Sequence, residues 1–131
     1  MKKIVLALLL TFTSLIAELQ TVWVTPKFLN NKMKIIDIRT PSEWKETGIV
    51  KGAYPIMFFN ERGNFNAEKF VAQLNKVVKK GEKFALICRT GSRTTMVSQF
   101  LANKLGYNVV NLKGGMMKLI QEGYRPVRYK Q

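Results

Sequence analysis

The chain has no histidine and a single cysteine, Cys88, and its 8 acidic residues are outnumbered by 22 basic ones. Each shortage removes some chemistry. Without imidazole there is no Cys-His or Ser-His catalytic pair and no histidine-containing zinc site. One thiol per chain rules out an internal disulfide, a C-x-x-C redox pair, a thiolate metal cluster and lipidation at a processed N-terminal cysteine. The shortage of acids leaves a formal charge of +14, which concentrates anions around the protein. The basic residues are dispersed, however, and no aromatic-interleaved cluster or motif marks a nucleic-acid interface. No repeat, linker or low-complexity stretch divides the 131 residues, whose 47% hydrophobic and 23% charged content is that of one globular domain.

Long apolar runs are equally scarce. The exception follows Lys2 and Lys3, where "IVLALLLTFTSLIA" runs from Ile4 to Ala17 without a charge. A basic start and an apolar middle shorter than the ~20 residues a membrane helix needs predict an export signal over residues 1–17, cut after Ala17. The competing reading is a buried first helix or an uncleaved anchor. Cleavage would leave 20 basic and 8 acidic residues, a periplasmic location and no stable membrane anchor.

Beyond that point short apolar runs alternate with helical spacing. Strands are expected at "TVWVTP", "KIIDI" (Lys34 to Ile38), "KFALIC" and "NVVNL". "AYPIMFF" is extended, with Pro55 arguing against a central ladder position. "PSEWKETG" predicts a short helix stopped by Gly48. "NAEKFVAQLNKVVKKG" predicts a helix capped by Asn66 and stopped by Gly81, with Phe70, Leu74, Val77 and Val78 on one face. "SRTTMVSQFLANKLG" aligns Met96, Val97, Phe100, Leu101 and Leu105, and "GMMKLIQEG" predicts a last helix before the basic tail "YRPVRYKQ". Alternating strands and helices predict an α/β fold, a central parallel sheet with helices on both faces. In such sheets the ligand crevice lies beyond the carboxyl ends of the strands.

Cys88 ends one of those strands, and Arg89, Thr90, Gly91, Ser92 and Arg93 lead from it into a helix. Gly91 allows a backbone with positive φ, so the chain can curl around the thiol. Peptide N–H groups, a helix N-terminus and neighbouring cations favour thiolate over thiol, which makes Cys88 a nucleophile without a general base. The same donors could hold a sulfur added to Cys88 or the oxygens of an anionic substrate. Arg93 is suited to shaping the loop or pairing with an acid, and Arg89 to meeting an incoming anion.

"DIRTPSEW" (Asp37 to Trp44), "GIVKGA" (Gly48 to Ala53), "CRTGSR" (Cys88 to Arg93), "NLKGG" and the "GY" of Gly123 and Tyr124 stand in fixed order along the chain. Together they resemble the opening motif, glycine-alanine segment, six-residue active loop and C-terminal signature of the single-domain rhodaneses, over approximately residues 34–127. The resemblance implies a rhodanese-like three-layer domain over residues 22–128. It implies a thiosulfate sulfurtransferase that carries sulfane sulfur as a Cys88 persulfide, with Arg89, Thr90, Gly91, Ser92 and Arg93 binding the substrate and no metal or organic cofactor. Its partners would be a small anionic sulfur donor and a cyanide, thiol or protein acceptor, with no nucleic acid, and the chain would act as a monomer.

Ile49 and Leu119 depart from the family pattern, which usually has histidine and often tryptophan there; altered packing is expected before altered chemistry. Two rival functions remain, a non-catalytic binding or sulfur-carrier module and a cysteine phosphatase. The phosphatases resembling this fold use C-x-x-x-x-x-R, one residue longer than the loop from Cys88 to Arg93, although Asp37, Glu43 and Glu61 stay open as acids. Asp37 and Arg39 are read as a structural ion pair. Trp44, Tyr54, Phe58 and Phe59 are read as core or pocket wall, and Gly114 and Gly115 as the entry to the last helix.

Overall fold

The computed structural model describes residues 17–130, so the expected export segment lies outside the described residues except for Ala17. Five strands form one all-parallel sheet: β1 (Leu19–Trp23), β2 (Ile35–Asp37), β3 (Tyr54–Pro55), β4 (Phe84–Ile87) and β5 (Val109–Lys113), in the order β1-β5-β4-β2-β3. Four α-helices connect them, α1 (Pro41–Thr47), α2 (Ala67–Asn75), α3 (Ser92–Leu105) and α4 (Gly115–Gln121), with a 3-10 turn at Pro26–Asn30.

Alternation along the strands builds two cores. Phe84, Leu86 and Cys88 point to one face, where they meet Phe70 and Leu74 of α2 and Val97 and Leu101 of α3. Ala85 and Ile87 point to the other, against Met116 and Leu119 of α4. This gives the expected three layers. β4, buried at all four residues, is the middle strand, which sets Cys88 at the centre of the sheet's carboxyl edge. Pro55, which has no N–H for a ladder bond, lies in the two-residue edge strand β3.

Two expectations need correction. Helix α2 ends at Asn75, well before Gly81. The N–H groups of Val77 and Val78 both turn back to the Leu74 carbonyl (2.9 Å each), and this tight turn, not a further helical turn, drops Val78 into the core. Met96 and Leu105 are exposed at 56% and 45%, because the buried stripe of α3 runs instead through Thr94, Val97, Ser98, Leu101 and Ala102. Tyr54 is exposed at the sheet edge, where it lines a surface groove, whereas Trp44 and Phe58 are buried.

The basic tail is part of the fold. Val127 and Ile49 exchange backbone hydrogen bonds of 2.9 Å in each direction, and Tyr129 packs on Trp44 at 5.4 Å between ring centroids. Ile49 thus meets the tail through its main chain, and Leu119 is fully buried against the sheet.

Candidate active site

The site begins with the Gly91 peptide. Gly91 adopts φ +103° and its N–H donates to Cys88 Sγ at 3.2 Å. Across its Cα, the Gly91 carbonyl anchors the loop to the first turn of α3 by accepting from the Thr94 hydroxyl (3.1 Å), the Thr95 hydroxyl (2.8 Å) and the Thr95 N–H (3.1 Å). Asn111 of β5 in turn donates to Thr95 Oγ1 at 3.2 Å. Sγ also lies 3.6 Å from Thr94 Oγ1, whose own proton goes to Gly91, so the neutral thiol can donate to the threonine. When the thiol ionises, the Gly91 N–H remains as a donor aimed at the charge.

Sequence reasoning passed over Thr94, Thr95 and Asn111. Two threonines in the first turn after the loop were a readable signal, since Ser and Thr hydroxyls readily bond nearby carbonyls. The Asn111 contact had no local signal.

The loop residues divide by environment. Arg89, Thr90 and Ser92 are exposed, Gly91 is buried and Arg93 is half-buried. Arg93 forms a two-pronged ion pair with Glu43, at 2.7 and 2.8 Å. Burial works to raise the Glu43 carboxyl, but the Arg93 hydrogen bonds and charge, with those of Thr40, outweigh it and hold the group at about 2. Arg93 is correspondingly pushed up, first by its hydrogen bonds to Glu43 and then, against burial, by attraction to Glu43, Cys88 and Asp37. Glu43 also completes the capping box of α1 with Thr40, so one carboxylate ties the start of α1 to the cysteine loop.

Asp37 and Arg39 form the structural pair expected of them. Both are buried, with Arg39 Nε and Nη2 donating to Asp37 Oδ1 and Oδ2 at 3.0 and 2.8 Å. The rest of the guanidinium donates to Thr47 Oγ1 (2.6 Å) and the Gly48 carbonyl (2.7 Å). Glu61 accepts from Ser42 Oγ at 2.9 Å. The three carboxylates left open as acids therefore each accept from a partner, Arg39, Arg93 or Ser42.

Gly114 and Gly115 do more than admit the last helix. Met116 N–H donates to the Cys88 carbonyl at 2.9 Å and Met117 N–H to the Arg89 carbonyl at 3.0 Å. A side chain on Gly115 would overlap both carbonyl oxygens. The glycine lets α4 press directly against the loop.

A parallel α/β sheet whose middle strand delivers a lone cysteine into a C-x-x-x-x-R loop, braced by a second helix, defines a domain built around one thiol. Residues 23–122 match the rhodanese-like domain, and the chain belongs to that family. It is 33% identical over 91 residues to an uncharacterized protein of Rickettsia prowazekii, covering 66% of this chain and 72% of that one. The structure of a rhodanese-like domain protein from Staphylococcus aureus has the same fold, with a TM-score of 0.60 at 23% identity over 86% of this chain and 99% of that one. A Staphylococcus saprophyticus protein matches with a TM-score of 0.56 at 28% identity, over 77% and 95% of the two chains.

Proposed function

We propose that this protein is a sulfurtransferase in which the Cys88 thiolate attacks the outer sulfur of thiosulfate or a related sulfane donor. The new S–S bond forms as the donor's S–S bond breaks, sulfite leaves with the electron pair, and Cys88 persulfide remains. A thiophilic acceptor, cyanide in an assay or a thiol, then takes the terminal sulfur and regenerates the thiolate. Peptide N–H groups from Arg89 to Arg93 hold the added sulfur, exposed Arg89 draws the anionic donor, and Arg93 keeps the loop in shape through Glu43.

The observation that carries this reading is the Gly91 N–H 3.2 Å from Sγ, in a loop whose next carbonyl is anchored by three hydrogen bonds to Thr94 and Thr95. It supplies fixed positive polarity to one sulfur atom without a general base. Phosphate hydrolysis fits less well, because Asp37, Glu43 and Glu61 already accept from Arg39, Arg93 and Ser42. The test is thiocyanate formation from thiosulfate and cyanide: wild type turns over and Cys88→Ala does not. Equal background rates in both would leave a binding module instead. Export is part of the same proposal; N-terminal sequencing of the periplasmic protein should begin at Glu18, and a retained Met1 would refute it.

A further inference from the structure

Cys88 is only 1% exposed, so an acceptor thiol has to reach it as a narrow protrusion, and the rim around the loop decides which protrusions fit. On one side of that rim stands Trp23, the last residue of β1, exposed at 59%. β1 lies two strands from β4, about 10 Å across the carboxyl edge at ordinary strand spacing. Lys113 Nζ sits 4.4 Å from the Trp23 ring centroid and Lys118 Nζ 5.9 Å from it. The main chain of Lys113 packs on the loop itself, its Cα 3.5 Å from where a side chain on Gly91 would begin. On the other side lie exposed Arg89 and, on α4, Met117 and Ile120.

Two ammonium groups converging on one indole repel each other, and Lys118 is offset by its ion pair with Glu122. Lys113 and Arg89 have no ion-pair partner among the described residues. Arg89 shares a small cavity with Glu43 and Glu46, whereas Lys113 stands against the Trp23 ring, in a chain already at +14. An exposed tryptophan beside two lysines, with an arginine and the apolar side chains of Met117 and Ile120 across the rim, has the composition of a protein-binding hot spot. A bilayer is a poor occupant, because a flat surface cannot reach a sulfur lying below the rim.

We infer that Trp23, Lys113 and Arg89 form a docking rim for an acidic protein segment that presents a thiol to Cys88. The inference rests on the sulfurtransferase reading for what happens after docking, but docking itself is measurable without it. The occupant is a short loop or terminus carrying glutamate or aspartate beside its cysteine.

The test uses the full chain and three synthetic peptides: a serine flanked by glutamates, the same peptide with glutamines, and a cysteine version of the acidic one. Titration followed by tryptophan fluorescence and calorimetry should show the acidic serine peptide binding at least about tenfold tighter than the glutamine peptide, with the preference shrinking in high salt. Lys113→Glu and Trp23→Ala should each remove most of that preference. With Cys88 loaded by thiosulfate, the acidic cysteine peptide should take up sulfur, read by its mass, about tenfold slower from Lys113→Glu than from wild type. Equal binding of the acidic and glutamine peptides would overturn the inference. So would binding to phosphatidylglycerol vesicles that depends on Lys113 while the acidic peptide is ignored. Acidic-peptide binding without any persulfide on Cys88 would leave the docking rim standing and remove the sulfurtransferase reading.

Discussion

Gly115 is where the fold and the site meet most tightly, and replacing it with alanine separates two effects. Gly115 and Gly63 both have positive φ, +62° and +79°, so an alanine at either is strained, by roughly 1 kcal/mol. At Gly63 a new methyl group meets nothing within 4 Å. At Gly115 it would overlap the carbonyl oxygens of Cys88 and Arg89, so α4 has to back away. That movement breaks the Met116-to-Cys88 and Met117-to-Arg89 hydrogen bonds, about 1 kcal/mol each, and loosens fully buried Leu119. Gly115→Ala should therefore cost about 3–4 kcal/mol against about 1 for Gly63→Ala. At roughly 4 °C per kcal/mol for a domain of this size, the Tm losses should be about 12–16 °C and about 4 °C. Thiocyanate formation below both transitions should fall about a hundredfold for Gly115→Ala, since small misplacements of a reacting group cost about that much, and stay near wild type for Gly63→Ala. Circular dichroism melts and the coupled rate assay check both. Equal Tm and equal rate for the two variants would refute the claim that α4 braces the cysteine loop.

Glu43→Gln should expose the Glu43–Arg93 pair in the acid limb of stability. Because the folded carboxyl titrates near 2 and not at its ordinary 4.5, the pair's stabilisation is fully present above pH 4.5 and lost as pH falls toward 2. Allowing for a side chain still 19% exposed, the loss is about 2 kcal/mol, so urea midpoints of wild type and variant should differ at pH 7 and converge near pH 2. Arg39→Leu strands the fully buried Asp37 carboxylate and should cost about 3–5 kcal/mol in urea unfolding; adding Asp37→Asn should recover part of it, and strict additivity of the two would contradict a shared ion pair.

The sequence was most readable where punctuation is local. Gly48 stops α1, Asn66 caps α2, and Pro55 marks an edge strand, all through constraints set by one or two residues. Cys88 at a strand end and Arg93 paired with an acid followed from the same short-range reasoning. What stayed hidden depends on neighbours distant along the chain. Leu105 and Met96 have apolar spacing, but the sheet lies against another face of α3. Asn111 steadies Thr95 from sixteen residues away, and Tyr129 covers Trp44 only because the tail returns past Ile49. Nothing local in "NLKGG" showed that its second glycine leaves room for the carbonyls of Cys88 and Arg89.

The proposed sulfur transfer requires that the Gly91 N–H aimed at Cys88 prepare that atom to accept sulfur. Intact-protein mass spectrometry after incubation with thiosulfate and removal of excess reagent tests it most directly. The expected result is a gain of one sulfur atom, mapped to Cys88 by peptide digestion, absent from Cys88→Ala and discharged by cyanide. An unchanged mass, with Cys88 still recovered as a free thiol under conditions where the protein is folded, would contradict it.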